Sequence, residues 1–219
     1  MRAMILAAGR GERMMPLTKD TPKPLIEVKN IALIEYSINE LKKACITEIV
    51  INISYLGGQI KSHLGDGTKF GVKLSYSDES ANALETAGGI IKALPMLGNK
   101  PFVVINCDVL CDYDISQLKL PIGSFAHLVL INNPMHNPTG DFSLTNDQIV
   151  EVDNQSYTFS GVGIYHPDFF KNHIHSQGKL PLHSLLKEAL AANQLTGELY
   201  QGYWQDVGTP ERLEQANTR

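Results

Sequence analysis

The 219-residue chain has 43% apolar and 19% charged residues and a formal net charge of −4, a composition that lets burial offset chain entropy and excludes long disorder. One α/β core can fill this length, so a single domain over residues 1–219 is expected. The slight negative balance gives no global attraction for nucleic acid or an anionic membrane, so any phosphate chemistry has to rest on locally gathered cations.

The opening Met1-Arg2 and the apolar run over 3–9 have the outline of a signal peptide, but the run meets Arg10, Glu12 and Arg13 at once. At roughly seven residues it is also at the short limit for a secretory apolar region. A buried strand over 2–7 fits better. No stretch nears the roughly 20 apolar residues that cross a bilayer, and the odd set Cys45, Cys107 and Cys111 argues against a secreted disulfide framework and for a reducing cytoplasm. The spacing of Ile31, Leu33, Ile34, Ile38 and Leu41 predicts a helix over 31–44. A β-branched strand over 48–53, a helix over 56–64, a strand over 72–76, a helix over 86–93 and a strand over 102–106 follow. This βαβαβ alternation implies a mostly parallel sheet covered on both faces, with ligands at the carboxyl ends of its strands. Strands over 126–131, 141–144, 148–152 and 157–165 predict a mixed extension of the sheet. A helix over 182–193 and a last one after Thr209, with Pro210 in its first turn, complete the pattern. There is no repeat, low-complexity segment or Gly/Ser linker.

The first strand runs into LAAGRGERMMPLTKDTPKPL. Gly9 and Gly11 let backbone N–H groups approach an anion, which permits a phosphate cradle. A dinucleotide fingerprint would need a third glycine where Met14 stands, and a helix that Pro16, Pro22 and Pro24 prevent; Gly65, Gly67 and Lys69 have the wrong spacing for a P-loop. Arg13 can fork two hydrogen bonds to phosphate oxygens, and Lys23, between two prolines, is a point charge on a stiffened, extended backbone. Taken alone, Arg13, Lys19 and Lys23 would more often be merely solvated loop charges; the glycines after a first strand reverse that preference in favour of the anion site.

Asp108 follows the strand over 102–106, and Asp206 ends another strand just before the last helix. Two carboxylates at adjacent strand ends would repel without a cation between them, and Mg²⁺, an oxygen-seeking ion often held by one or two carboxylates plus phosphates, fits. The plainer reading of a lone Asp at a strand end is a turn or a helix cap. That reading is preferred for Asp112, expected to cap the helix that follows, and for Asp114. His127, His166, His173 and His175 lack metal-site spacing, Cys107 and Cys111 lack a second cysteine pair, and no GxSxG elbow exists, so zinc and a serine nucleophile are not expected. Cys107 reads as packing.

Together LAAGRGERMMPLT, TPKPL, NCDV and WQDVGTPERL resemble the sugar-1-phosphate nucleotidyltransferases, from residue 3 to about residue 215. The segments IEYSI, TEIVIN, HLGDG, LETAGGI, DYD and FSGVGIY are similar to the uridylyl-transferring branch that acts in cell-wall sugar recycling. The resemblance implies a Rossmann-like nucleotidyltransferase fold, a central mixed, mostly parallel sheet with helices on both faces. It implies attack of a sugar-1-phosphate oxygen on the α-phosphorus of a nucleoside triphosphate, UTP with N-acetylmuramate 1-phosphate being the expected pair and GTP with mannose 1-phosphate the alternative. Arg13, with the backbone of Gly9 to Gly11, would bind the outgoing phosphates, Lys23 would bridge the two reacting phosphates, and Asp108 and Asp206 would hold Mg²⁺. Ala8 and the region from Glu79 to Gly88 would read the base; Asn106, Asp141, Ser160 and Gly161 are the sugar candidates, although Asp141 and Ser160 could equally be a turn residue and a buried strand hydroxyl. Close relatives carry Gly at position 107, Arg at 15 and Gly at 87, where this chain has Cys107, Met15 and Ala87. Longer members add a left-handed β-helix for which this chain is too short, so a monomer is expected.

Overall fold

Aliphatic and β-branched runs form the strands, and the residues that split them by apolar face decide where the helices pack. The computed structural model describes residues 1–79, 84–151, 155–176 and 178–218. In chain order they form β1 (Arg2–Leu6), the short hairpin strands β2 (Glu27–Val28) and β3 (Ile31–Ala32), α1 (Leu33–Lys43), β4 (Glu48–Ile53), α2 (Gly57–Leu64), β5 (Lys73–Asp78) and α3 (Glu85–Leu97). Then come β6 (Phe102–Asn106), β7 (Val109–Cys111), β8 (Ala126–Ile131), β9 (Ser143–Thr145), β10 (Gln148–Val150) and β11 (Thr158–Tyr165). The last elements are α4 (Leu182–Ala191), β12 (Leu195–Tyr200), β13 (Trp204–Asp206) and α5 (Pro210–Thr218).

Nine strands make one sheet in the order β5-β4-β1-β6-β11-β8-β12-β10-β9. The strands β5, β4, β1 and β6 are mutually parallel, β8 and β12 are parallel, and β11 and β10 run against their neighbours. The expected mixed, mostly parallel sheet is therefore present, and residue 152 of the expected strand over 148–152 lies outside the described residues. Ala3, Ile5, Val103 and Ile105 turn to one face and pack with Ile34, Ile38 and Leu41 of α1 and Ile60 and Leu64 of α2. Met4, Phe102 and Val104 turn to the other and pack with Ile90 and Ala93 of α3 and Leu185 and Leu186 of α4. Each fully buried Val, Leu, Ile, Phe or Met among these contributes about 1.5–3 kcal/mol.

Four local departures from the expected elements have physical causes. The helix expected from residue 31 starts at Leu33, because Lys29 and Asn30, both at positive φ (50° and 62°), make a two-residue turn that pairs β2 with β3. α3 runs through Pro95 to Leu97 rather than stopping at residue 93, since burial of Ala93 and Leu97 outweighs the single backbone bond lost in its last turn. β12 has no clean alternation, yet Gly197 is needed there: a Cβ would lie 2.9 Å from the Leu128 carbonyl and 2.8 Å from Ile149. Among the described residues, the short strands β7 and β13 pair only with each other.

Phe102 is fully buried and stacks against Tyr165 at 6.5 Å and Phe170 at 6.2 Å between ring centroids. Phe102→Ala is expected to lower the unfolding free energy by about 3–5 kcal/mol, read as a shifted denaturant midpoint at unchanged slope; an unmoved midpoint would refute this account of the core.

Candidate active site

The cationic loop leaves β1 with its backbone already tied, the Ala7 amide donating to Asn52 Oδ1 at 2.8 Å. Gly11 takes a left-handed conformation (φ +67°), and a Cβ there would lie 3.0 Å from both Lys23 Cβ and Thr18 Cγ2, so only glycine fits without displacing the lysine stem. The Thr18 hydroxyl donates to the Gly11 carbonyl at 2.8 Å, closing the loop on itself. Residues Glu12–Met14 form a single 3-10 turn, in which Met14 is fully buried with Val28, Leu33, Leu110, Val207 and Ala216. Anchoring Met14 turns Arg13 outward, and Arg13 has no ion-pair partner among the described residues. Lys23 is carried differently from the expectation of an extended path. It opens a 3-10 turn, Lys23–Leu25, with Pro24 at its second position, and is 8% exposed. Its ammonium is ion-paired with the Asp108 carboxylate.

β7 and β13 bring the acidic pair together. Asp206 lies opposite Val109 in their antiparallel ladder, and the Val207 amide donates to the Asp108 carbonyl at 2.8 Å. Asp206 Oδ1 lies 3.0 Å from Arg212 Nη1 and 3.4 Å from His136 Nε2. Gly208 marks the convergence of these groups: a Cβ on it would stand 2.8 Å from Asp206 Oδ2 and 3.2 Å from Arg13 Nη2. Asp112 does not cap the following helix. It accepts from the Tyr200 hydroxyl and, at 2.8 Å, from the Tyr203 amide, holding the turn between β12 and β13, while Asp114 caps the 3-10 turn Ile115–Gln117 through the Ser116 amide.

Gly9, Gly11, Arg13, Lys23, Asp108 and Gly208 line one open cleft of ≈ 820 Å³, together with Ala8, Arg10, Asn52, Glu79, Thr86, Asn106, Cys107 and Lys179. No cluster of three or more His, Cys, Asp or Glu side chains suited to a metal occurs among the described residues. Two carboxylates and open space for phosphate oxygens nevertheless match the hard-oxygen donors of Mg²⁺ rather than zinc.

Among the residues expected to read the base, Asn52 Nδ2 donates to Glu79 Oε1 at 2.7 Å and the Leu84 amide to Oε2 at 3.0 Å. Any base contact from Glu79 therefore uses the second lone pair of an oxygen already engaged. Residues 80–83 lie outside the described residues. The amides of Ala87 and Gly88 donate to the Leu180 carbonyl, so that edge of α3 is strapped by residues 178–180. Among the sugar candidates, Gly161 (φ +84°) makes room for Asn106, whose Nδ2 would lie 2.6 Å from a Cβ. Asp141 accepts from Asn137 Nδ2 at 3.1 Å and from the Phe159 amide at 2.8 Å, and Ser160 Oγ accepts from the Val162 amide at 3.1 Å. Asp141 and Ser160 thus hold β11 in place. Burial, with Asp108 beside it, pushes the Cys107 thiol well above its ordinary value, and burial pushes Cys111 up to about 11, so neither is a thiolate nucleophile. Cys107 packs into the α1-side core at the edge of the cleft, and Ala87 is buried in the α3-side core.

Arg10, Asn52, Lys179, Arg212 and His136 were not singled out from sequence. Asn52 had a signal, a polar residue near the carboxyl end of an otherwise apolar strand, and Arg212 lies inside the WQDVGTPERL motif; His136 and Lys179 had none.

A Rossmann-like sheet with a glycine-rich cationic turn facing paired aspartates defines a phosphate-handling transferase. The nucleotidyl transferase family profile matches residues 2–121, and the chain belongs to that family. It is 49% identical to an N-acetylmuramate α-1-phosphate uridylyltransferase of Neisseria meningitidis over 99% of this chain and 96% of that one. It is 31% identical to the Caulobacter vibrioides protein of the same name, again over 99% and 96%. A mannose-1-phosphate guanylyltransferase catalytic subunit beta of Dictyostelium discoideum is 30% identical over 96% of this chain and 62% of that one. Among solved structures, a Bacillus anthracis protein described as a glucose-1-phosphate thymidylyltransferase superposes with a TM-score of 0.86 at 28% identity, covering 100% of this chain and 94% of that one. The chain is a nucleotidyltransferase enzyme.

Asn52→Ala strips a buried acceptor from Ala7 and a donor from Glu79, which costs about 1–3 kcal/mol of stability. A fall in melting temperature of roughly 2–4 °C per kcal/mol is expected, with a raised KM for the nucleotide; unchanged values of both would show that Asn52 does not brace the base wall.

Proposed function

We propose that the protein transfers uridylyl from UTP to N-acetylmuramate 1-phosphate, giving UDP-N-acetylmuramate and pyrophosphate, in the cytoplasmic recycling of peptidoglycan sugar. The observation that carries this reading is the convergence on one cleft of Arg13, which has no ion-pair partner among the described residues, the glycine backbone and the Lys23–Asp108 pair, with Asp206 beside Gly208 at its edge. Near full-length likeness to uridylyltransferases supports the choice of base and sugar. Free cysteines support a reducing compartment, and no helix among the described residues is long and apolar enough to cross a membrane.

Backbone amides from Gly9 to Gly11 and the Arg13 fork bind the β and γ phosphates, aligning the leaving group. The Lys23 ammonium exchanges its Asp108 partner for oxygens of the α-phosphate and of the incoming monoester, drawing two anions together. A monoester oxygen attacks the α-phosphorus in line, a new P–O bond forms, and the bond to the β-phosphate oxygen breaks with its electron pair leaving on pyrophosphate. With a second pKa near 6 the monoester is largely dianionic, so no protein base or nucleophile is needed. Asp108 and Asp206 would hold Mg²⁺, which when bound supplies neutralisation of phosphate charge.

Pyrophosphate release is the test, with UTP or GTP crossed against the 1-phosphates of N-acetylmuramate, mannose and glucose. Release with GTP and mannose 1-phosphate alone would move the protein to the guanylyl branch; no release with any pair would leave a binding protein. Lys23→Ala is expected to reduce turnover at least tenfold, about 1.4 kcal/mol of transition-state stabilisation, and unchanged turnover would remove Lys23 from the reaction. Asp206→Asn is expected to raise the Mg²⁺ concentration for half-maximal activity, which a titration overlying the parent's would contradict.

A further inference from the structure

Asp206 does not stand free at the cleft edge, because a cation from the first turn of α5 is already on it. Arg212 sets Nη1 3.0 Å from Asp206 Oδ1, and both side chains are largely shielded from solvent. This approach depends on Gly208. A Cβ there would stand 2.4 Å from Arg212 Nη2 and 3.2 Å from Arg13 Nη2, so the Arg212 guanidinium lies across bare backbone that itself lines the cleft. The main chain of Arg212 is anchored, its amide donating to Thr209 Oγ1 at 3.4 Å and its carbonyl accepting from Gln205 Nε2 at 2.9 Å. The head group is less completely held. Its Nε is buried without a hydrogen-bond partner among the described residues, whereas a guanidinium serving as a permanent brace would have its buried N–H groups satisfied. Charge is therefore the main bond between Arg212 and Asp206. His136 adds a second contact, Nε2 lying 3.4 Å from the same Oδ1, and its ring stacks on Trp204 with centroids 6.5 Å apart.

We propose that Arg212 is a placeholder for the metal: it neutralises Asp206 in the free protein, opposes binding of a divalent cation by itself, and yields the carboxylate when the triphosphate arrives with its ion. The proposal rests on Asp206 being a metal ligand. Asp108 is paired with Lys23 and Asp206 with Arg212, so each carboxylate that would hold Mg²⁺ carries a monovalent cation beforehand. Arg13, against Gly208, adds a third positive side chain to the same junction. Such a junction repels a bare divalent ion and attracts a polyanion. Phosphate oxygens then offer Lys23, Arg13 and Arg212 new partners, which frees the two carboxylates. Arg212 is thereby a positioning residue that sets the order of binding, metal with nucleotide rather than metal ahead of it.

Mg²⁺ titrated into nucleotide-free protein at fixed pH tests this, read by calorimetry and by the fluorescence of Trp204, the single tryptophan of the chain. Arg212→Met is expected to bind Mg²⁺ at least about tenfold more tightly than the parent, because it removes a like charge a few ångström from the ion. Arg212→Gln, a second neutral variant, is expected to do the same. Arg212→Lys keeps the charge and is expected to bind Mg²⁺ no more tightly than the parent. The gain is also expected to vanish when Arg212→Met is combined with Asp206→Asn. Unchanged Mg²⁺ binding in both neutral variants would overturn the proposal, and weaker binding would do so by showing that Arg212 braces Asp206 for the metal. A lysine variant as tight as the neutral ones would overturn it as well. Loss of Mg²⁺ binding in Asp206→Asn without any gain in Arg212→Met would refute the placeholder and leave Asp206 as a ligand. A gain in Arg212→Met that survives Asp206→Asn would refute both.

Discussion

The β7–β13 ladder, extended by the bond from the Val207 amide to the Asp108 carbonyl, joins the middle of the chain to its last strand, and the site depends on that junction. Alone, β7 and β13 are three residues each, too short to hold together without their surroundings. Their pairing survives because the same junction buries Leu110 and Val207 against Met14, Val28 and Leu33. That small third core therefore couples three distant stretches of sequence: the cationic loop, the mid-chain aspartate and the tail. Burying Met14 aims Arg13, pairing Asp206 with Val109 fixes the second carboxylate, and neither placement is independent of the other.

Electrostatics explain the choice of partners around this junction. Two carboxylates on neighbouring strands repel, and Lys23 at Asp108 and Arg212 at Asp206 offset that repulsion in the free protein. Arg212 has 14% of its side chain exposed and Lys23 10%, so these are not the weak, fully solvated pairs of an ordinary surface. Arg13 has no such carboxylate among the described residues. The proposed roles, a compact ammonium at the reacting phosphates and a planar fork at the outgoing ones, match the different geometries that a lysine and an arginine can meet.

The βαβαβ half was legible because its signals are local. EIVINI is a strand by its β-branched run, and β4 has the bounds read from sequence; Leu33, Ile34, Ile38 and Leu41 announce α1 by spacing alone. Leu195–Tyr200 was missed because Thr196, Gly197 and Glu198 break the alternation, and Gly197 makes sense only beside Ile149 and Leu128. Asp112 was misread as a helix cap for a related reason: its partners, Tyr200 and Tyr203, lie about ninety residues away.

By itself the sequence determined the parallel half-sheet, the loop of glycines and cations after its first strand, and the residue types at the strand ends, since these follow from periodicity, backbone restriction and charge. Only the tertiary structure decided that Lys23 rides on a 3-10 turn against Asp108 and that Glu79 is braced by Asn52. The reason is physical: such facts are set by which buried polar atoms meet across elements, and a linear chain carries no record of a contact until packing has brought its two halves together.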